Sequence, residues 1–500
     1  MKKYLLILLL ALFAFPSFSA AHALRDLRLV NIPVMGIHVQ PDAAAPYDSQ
    51  RVYGHEVTVH EAVNNEWLRV ESLDGMVGYA REKDLMPDNP LWRLSSGRQR
   101  VKGLIGCVYP KPDLETQTLV RLPYNAYVNV IDQQEVASGR LWLKVQLIDG
   151  TVGWMLSGDL EPLLILSKEE IIKRSHMFLG LPYIWGGTSS YGFDCSGFSQ
   201  TLATQMGFPM LRDSRPQCDD SRLVPVEYAD IQPGDFVYFG KMRVNHVALC
   251  IAPNTIIHPA VIESLPRLMI TPIDHPVLVF KGARRIPPIE FRGVISEIDD
   301  ALFARMQFSW REGNPVPLKD LRHLSLRYWG FDNCMHDGEL IVHAEVAQEV
   351  VDIFKELFDA RFPIERMKLI DEYQADDDLS TADNNTSALC CRLLTNHTSK
   401  WSLHGFGLAI DINPRINPYH KGTCIAPKNG ALFLDRTLPV RGLIRKGDVC
   451  YNAFAKRGWL WAGEWMEQYG YVDYQHFYKD VGVSDELVAL AAANNPRLES

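Results

Sequence analysis

Apolar and polar positions alternate on both sides of an Asp-Gly pair twice in the first third of the chain. The run E-W-L-R-V-E-S-L-D-G-M-V-G-Y at residues 66–79 returns 75 residues later as L-W-L-K-V-Q-L-I-D-G-T-V-G-W at residues 141–154. Period-two alternation closed by Asp-Gly predicts a β-hairpin, with glycine taking the positive φ of the turn. Each repeat is therefore expected to be one small β-barrel, over residues 28–95 and 96–165, with Trp67 and Trp142 facing its core. From Ser167 the spacing changes. Residues 168–179 have helical periodicity, a glycine-rich stretch follows, and a second helical segment starts at Cys195. Strand-like runs at 236–239, 247–251 and 277–280 complete an α+β unit over residues 166–286. The paired prolines after Arg285 mark a linker. A third unit, residues 295–490, is expected to hold an amphipathic helix at 342–358 and ends in an aromatic-rich stretch at 459–478.

Composition bounds the function. With 500 residues and 47% hydrophobic content the chain is globular and too long for one core. A net charge of -9 leaves no basic surface for counterion-releasing contact with nucleic acid. Lys2 and Lys3, the apolar run from Leu5 to Phe15 and then Ala21-His22-Ala23 read as a cleavable export signal over residues 1–23. Its apolar run, about 11 residues, is short of the ~20 that span a bilayer. No comparable run follows, so the mature chain is expected to be exported, periplasmic or secreted, without a stable membrane span. Nine cysteines, an odd number, leave at least one unpaired in an oxidising compartment. The candidate is Cys195; the others, including vicinal Cys390 and Cys391, are open to bridging or to simple burial.

Candidate chemistry gathers first around Cys195. The run Y-I-W-G-G-T-S-S-Y-G-F-D-C-S-G-F at residues 183–198 puts the thiol at the start of a predicted helix. There the helix dipole and free N–H groups are expected to lower its pKa and to hold an oxyanion. His246 opens V-A-L-C-I and His258 ends T-I-I-H, so neighbouring strands supply a base and an orienter behind it. The Y-x-W-G-G, F-D-C-S-G, P-G-D-x-V-x-F and N-H-V-A elements at Tyr183, Phe193, Pro233 and Asn245 resemble the NlpC-type cysteine peptidases, a papain-like α+β fold, over about residues 167–285. The resemblance implies Cys195 as nucleophile, His246 as base and His258 as third polar residue. It also implies substrate contacts from Tyr183, Asp194, Ser196, Asp213 and Ser214. Such enzymes cut peptidoglycan stem peptides, typically between γ-D-glutamate and the diamino acid. The two N-terminal repeats resemble bacterial SH3-like domains. Paired ahead of such a catalytic domain, they imply a walled groove for stems with a free N-terminal alanine, whose amine Asp213 would hold.

A second centre is spelled by S-L-H-G-F-G-L-A-I-D-I-N-P and Y-V-D-Y-Q-H-F. His404, Asp411 and His476 make a three-ligand set that leaves zinc an open position, Asp473 stands close enough to act as general base, and Arg392 is placed to meet a substrate carbonyl or carboxylate. Gly405 and Gly407 are expected to turn the backbone between ligands. These motifs, with G-W-x-W-x-G-x-W, resemble the VanY-like D-alanyl-D-alanine carboxypeptidases and related L-alanyl-D-glutamate endopeptidases, an α+β zinc peptidase fold. The resemblance implies Zn(2+) as cofactor and stem peptides or muropeptides as partners of both centres. The expectation is a multidomain, bifunctional stem-peptide hydrolase, with the metal centre a D-alanyl carboxypeptidase. The alternatives are an L-alanyl-D-glutamate endopeptidase at the metal centre, or a catalytically weak wall-binding scaffold.

Overall fold

A computed structural model describes residues 25–136, 139–393 and 400–480. The export signal and the last ten residues of the third predicted unit lie outside them. The N-terminal repeat is a repeat of structure. The strand Trp67–Ser72 pairs with Val77–Arg81, and Leu141–Gln146 with Val152–Leu156, in one register: Trp67 faces Arg81 as Trp142 faces Leu156. At both turns the glycine sits at positive φ, +79° at Gly75 and +86° at Gly150. Each hairpin runs into a 3-10 turn and a short closing strand, Leu85–Pro87 or Leu160–Pro162. The first hairpin belongs to a seven-stranded antiparallel sheet and the second to a five-stranded one. Trp67 and Trp142 are both buried, as the alternation predicts.

The α+β unit is built on a six-stranded antiparallel sheet, ordered Val224–Val226, Phe280–Arg285, Phe236–Phe239, His246–Ala252, Thr255–Ile262 and Leu265–Pro272. Phe236–Phe239 is apolar throughout because both faces are covered. Phe236 and Tyr238 join the cluster of Phe198 and Leu202 from the Cys195 helix, while Val237 and Phe239 join Ala248, Cys250 and Ile256 on the other side. The preceding helix, Lys168–Ser175, starts with a reciprocal cap, Ser167 Oγ accepting from Glu170 N–H and the Glu170 carboxylate from Ser167 N–H. The strand expected at 277–280 is displaced. Phe280 is its first residue, and Val277 lies in a turn where Leu278 N–H bonds His275 C=O, leaving two of the apolar side chains exposed. Leu278 and Phe280 pack against the cluster of Val237 and Phe239, so the apolar run alternates inward and outward before the strand begins.

In the third unit Gly293–Ser296, Leu321–Trp329 and Met335–His343 form a sheet backed by the helix Ala347–Asp359. That helix was expected from Val342, but Val342 is a buried strand residue paired with Arg322. The apolar run Leu340–Ile341–Val342 belongs to the hairpin, and the helical period of Val350, Ile353, Phe354 and Leu357 begins only after it. The units pack on one another. Leu94 of the β region enters a core with Phe331, Phe433, Val440 and Leu443 of the third unit, and Ser95 bridges to Val440. Among the described residues no helix is long and apolar enough to cross a membrane. All nine cysteines are free thiols, the vicinal pair included.

Candidate active sites

Cys195 is the first residue of the helix Cys195–Gln205, and Asp194 caps it. One Asp194 carboxylate oxygen accepts Gly197 N–H at 2.7 Å, the other Gly186 N–H at 2.9 Å. The same carboxylate takes a two-pronged Arg212 guanidinium at 3.1 and 2.6 Å, and Arg212 also donates to Ser196 Oγ at 2.9 Å. This buried fork locks the cap and the residue after the thiol in one arrangement. Ser196 and Ser214 are both buried beside it, Ser214 opening the helix Ser214–Asp219.

The expectation of a lowered thiol pKa is overturned. Burial, reinforced by the Asp194 charge, pushes the Cys195 thiol up to about 12, against backbone N–H groups of Val247 and Ser196 and the Arg212 charge. The helix N-terminus is present, but a carboxylate already caps its positive end. His246 is brought down to about 4 by burial, so at neutral pH the pair is a thiol facing the strand of an unprotonated imidazole. His246 Nε2 lies 2.7 Å from His258 Nδ1, and His258 Nε2 lies 3.0 Å from Thr271 Oγ1. A consistent proton order runs outward, His246 Nε2–H to His258 Nδ1 and His258 Nε2–H to the threonine oxygen, which leaves His246 Nδ1 with a lone pair for the thiol. Sheet register makes this possible: one step beyond the pair Leu249 and Ile257, His258 falls diagonally across from His246.

Thr271 was not foreseen, because a threonine thirteen residues past His258 carries no local mark; only the pairing of Thr255–Ile262 with Leu265–Pro272 brings it near. Tyr183 stands at the same centre. Burial, with the Cys195 and Asp194 charges, pushes its hydroxyl pKa up. Beside His246 opens a cleft of about 580 Å³ lined by Tyr183, Arg243, Asn245, Ala260 and the exposed Met242. Trp185, 65% exposed, donates its indole N–H to Asp48 of the first β unit at 3.3 Å. Asp213 is exposed at the cap of the helix Ser214–Asp219, and its pKa is raised by partial desolvation and by the charges of Asp194, Asp48 and Asp74 against the pull of Arg212. Asp213 of the cysteine unit and Asp48 of the first β unit thus lie near enough for their charges to interact.

The second cluster assembles from three elements. His404 lies in the turn Leu403–Phe406, whose cap Ser402 accepts His404 N–H at 3.3 Å. Gly407 ends that turn at φ +67°, from which the chain enters the strand Ala409–Asp411; Gly405 lies inside the turn without a positive φ. Asp411 is paired directly with His476 of His476–Lys479, so register alone joins ligands 65 residues apart. The ligand atoms of His404, Asp411 and His476 all lie within 4.8 Å of one another. His404 Nδ1 lies 2.7 Å from the Ala388 carbonyl oxygen, which puts the proton on Nδ1 and leaves the Nε2 lone pair facing the cluster. Burial opposes ionisation of Asp411, yet the His404 and His476 rings hold its carboxyl far below the usual range. A buried carboxylate between two imidazoles, one oriented from behind by a carbonyl, is a donor set that fits a divalent cation.

Asp473 is half-buried next to this set but outside the converging three. Its pKa is raised by burial and by the Asp411 charge, and Gln475 donates to it at 3.0 Å. Arg392 feels both Asp411 and Asp473, and pairs with Asp377 at 3.2 Å, a partner that sequence reasoning missed. Trp465 packs against His476, Tyr471 and Tyr478 to form an aromatic wall. Trp459 and Trp461, by contrast, are core residues against Phe454 and Phe477.

Comparison with known proteins follows this division. Residues 180–274 match the NlpC/P60 family, and residues 395–479 match a family described as D-alanyl-D-alanine carboxypeptidase. A γ-D-glutamyl-L-lysine dipeptidyl-peptidase of Bacillus cereus is 27% identical over 344 residues, covering 58% of this chain and 100% of the relative. Dipeptidyl-peptidase 6 of Lysinibacillus sphaericus is 24% identical over 233 residues, covering 44% of this chain and 83% of its own. The crystal structure of an NlpC/P60 family protein from Bacillus cereus aligns with a TM-score of 0.46 at 25% identity, over 52% of this chain and 100% of that one.

Proposed function

We propose, from the premise that this chain is a peptidase carrying an NlpC/P60 domain and a D-alanyl-D-alanine carboxypeptidase domain, that both centres hydrolyse peptidoglycan stem peptides outside the cytoplasm. The two β units are read as SH3-like barrels over residues 28–95 and 96–165, ahead of a cysteine peptidase domain at 166–286 and a metal domain at 295–490. The bond assigned to the cysteine centre is γ-D-glutamyl to diamino acid. The observation that carries it is the seating of Cys195, held by the Asp194–Arg212 fork, against the strand of His246 with His258 and Thr271 behind. His246 Nδ1 takes the thiol proton as sulfur attacks the γ-carbonyl, and backbone N–H groups at the helix start receive the developing oxyanion. The imidazolium then gives its proton to the leaving amine, and water releases the acyl group from sulfur. Only the thiolate's transient formation is required, so a resting thiol is compatible with turnover. Asp213, with the Asp48 charge nearby, is the residue proposed to hold a free N-terminal alanine amine, Tyr183 lines the cleft beside His246, and the first β unit walling the groove favours small released fragments over intact wall.

At the metal centre His404, Asp411 and His476 are the proposed ligands. Zn(2+) held there would polarise the scissile carbonyl. Asp473 takes a proton from the attacking water and passes it to the departing amine, and Arg392 binds the terminal carboxylate of a D-alanyl stem. The Arg392–Asp377 pair favours a second reading, since a guanidinium already balanced by a carboxylate suits an internal L-alanyl-D-glutamate bond as well. Purified protein on defined tri-, tetra- and pentapeptide stems separates these by mass spectrometry. Cys195→Ala should abolish the γ-glutamyl cut and spare the other; His404→Ala or a chelator should do the reverse. Identical product profiles from all variants would refute two independent centres.

A further inference from the structure

The two Asp-Gly turns of the repeat share backbone and register but not surroundings. Asp149 lies at an exposed turn, its carboxylate accepting Thr151 N–H at 2.9 Å. Asp74 is turned into the cysteine unit. It accepts from Gln200 Nε2 at 2.6 Å and from Ser72 Oγ at 2.6 Å, and forms an ion pair with Arg51. Gln200 is on the helix that begins with Cys195, and donates as well to Met210 C=O. Arg51 donates to Ser49 Oγ at 3.1 Å, and the same hydroxyl oxygen accepts Arg212 Nε at 3.1 Å. Arg212 closes the path on Asp194 and Ser196. Carboxylate, guanidinium, hydroxyl, guanidinium and carboxylate thus run buried and without interruption from a β turn to the cap of the Cys195 helix, with Gln200 tying the turn to the same helix lower down. Ser49, Arg51, Gln200, Arg212 and Asp194 are all less than a tenth exposed.

We infer that the first repeat's Asp-Gly turn is a positioning element of the cysteine centre: Asp74, through Arg51 and Ser49, holds Arg212 on the Asp194 cap and, through Gln200, holds the helix that presents the thiol. This goes beyond walling off the groove, because Asp74 acts from behind the helix and touches no substrate. It rests on the reading of Cys195 as the nucleophile. Charges alternate along the path, so neutralising Asp74 leaves Arg51 uncompensated beside Arg212 in a buried setting and loosens the fork. Small misplacements of a nucleophile are costly in rate.

The experiment uses the full-length protein and the tripeptide L-alanyl-γ-D-glutamyl-L-lysine. Asp74→Asn is expected to lower kcat by roughly ten- to a hundredfold with KM within about twofold, and to slow iodoacetamide labelling of the Cys195 peptide followed by mass spectrometry. Asp74→Glu, which keeps the charge, should recover most of kcat, and Asp149→Asn, the same change in the sister turn, should behave as wild type. Zinc content and melting temperature of each variant serve as the folding standard. Asp74→Asn matching Asp149→Asn in kcat overturns the inference, as does a loss of kcat that comes only with lost zinc and collapsed melting. If Cys195→Ala retains cleavage, it is the nucleophile assignment that falls.

Discussion

At the scale of single residues, the cysteine centre is governed by which polar atoms are left with a partner after burial. His258 is fully buried, and its Nε2 proton has Thr271 Oγ1 as acceptor. Thr271→Val keeps the shape and removes that acceptor. A buried donor left unmet costs about 1–3 kcal/mol, and since the cost falls on the imidazole chain that must accept a proton, kcat of the γ-glutamyl cleavage should drop roughly tenfold while Thr271→Ser stays near wild type. Steady-state kinetics on the tripeptide decide this; equal kcat for both variants would remove Thr271 from the chain. The motif residues were legible because nucleophile and histidines recur with glycines and short apolar strands around them. Thr271 and Asp377 were not, since neither stands near the motif residues it serves. The thiol's pKa was misjudged for a related reason. Helix polarity can be read from sequence, but the depth of burial and the neighbouring Asp194 charge come only with packing.

Among elements, the cluster of His404, Asp411 and His476 depends on one turn and one register. Gly407 must adopt φ +67° for the chain to pass from the His404 turn into the Asp411 strand, and a Cβ there would stand 2.7 Å from the backbone nitrogen of His343. Gly407→Ala adds the left-handed penalty of about 1–2 kcal/mol to a backbone clash, so His404 and Asp411 should separate. Zinc content by plasma mass spectrometry is expected to fall well below one per chain, with γ-glutamyl cleavage retained; full zinc loading would contradict the role given to this turn. The repeat hairpins show the converse. Their alternation and Asp-Gly pairs foretold both pairing and turn, because a half-buried hairpin writes its register locally. Where an apolar run met a boundary, as at 277–280 and 342–358, periodicity could not separate the end of one element from the start of the next.

For the whole molecule, burial of neutral imidazoles in two units ties folding to pH. His55, bonded to Asn125 C=O and stacked on Tyr127, is brought down to about 3 by burial, His246 to about 4, and His258 well below its usual value. Unfolding restores a pKa near 6.5, so at these three positions the unfolded chain binds more protons than the folded one once pH falls below that value. Their stabilisation is complete above about pH 6.5 and declines toward pH 4, by up to about 1.4 kcal/mol per pH unit for each histidine. His55→Gln should lose less melting temperature than the unaltered protein between pH 7 and pH 5; equal losses would contradict the burial of His55. The sequence by itself determined the duplicated hairpin, the motifs from which both candidate centres are read and the peptidase class, because these depend on local periodicity and on side-chain types at short spacing. Only the tertiary structure decided that the duplicated turns differ, one bearing on the helix that starts at Cys195 and one on solvent. It also decided the Asp194–Arg212–Asp74 path, the approach of Thr271 to His258 and the burial of the Cys195 thiol. All of these depend on which distant surfaces exclude water together, and two nearly identical segments carry no mark of which neighbour each will meet.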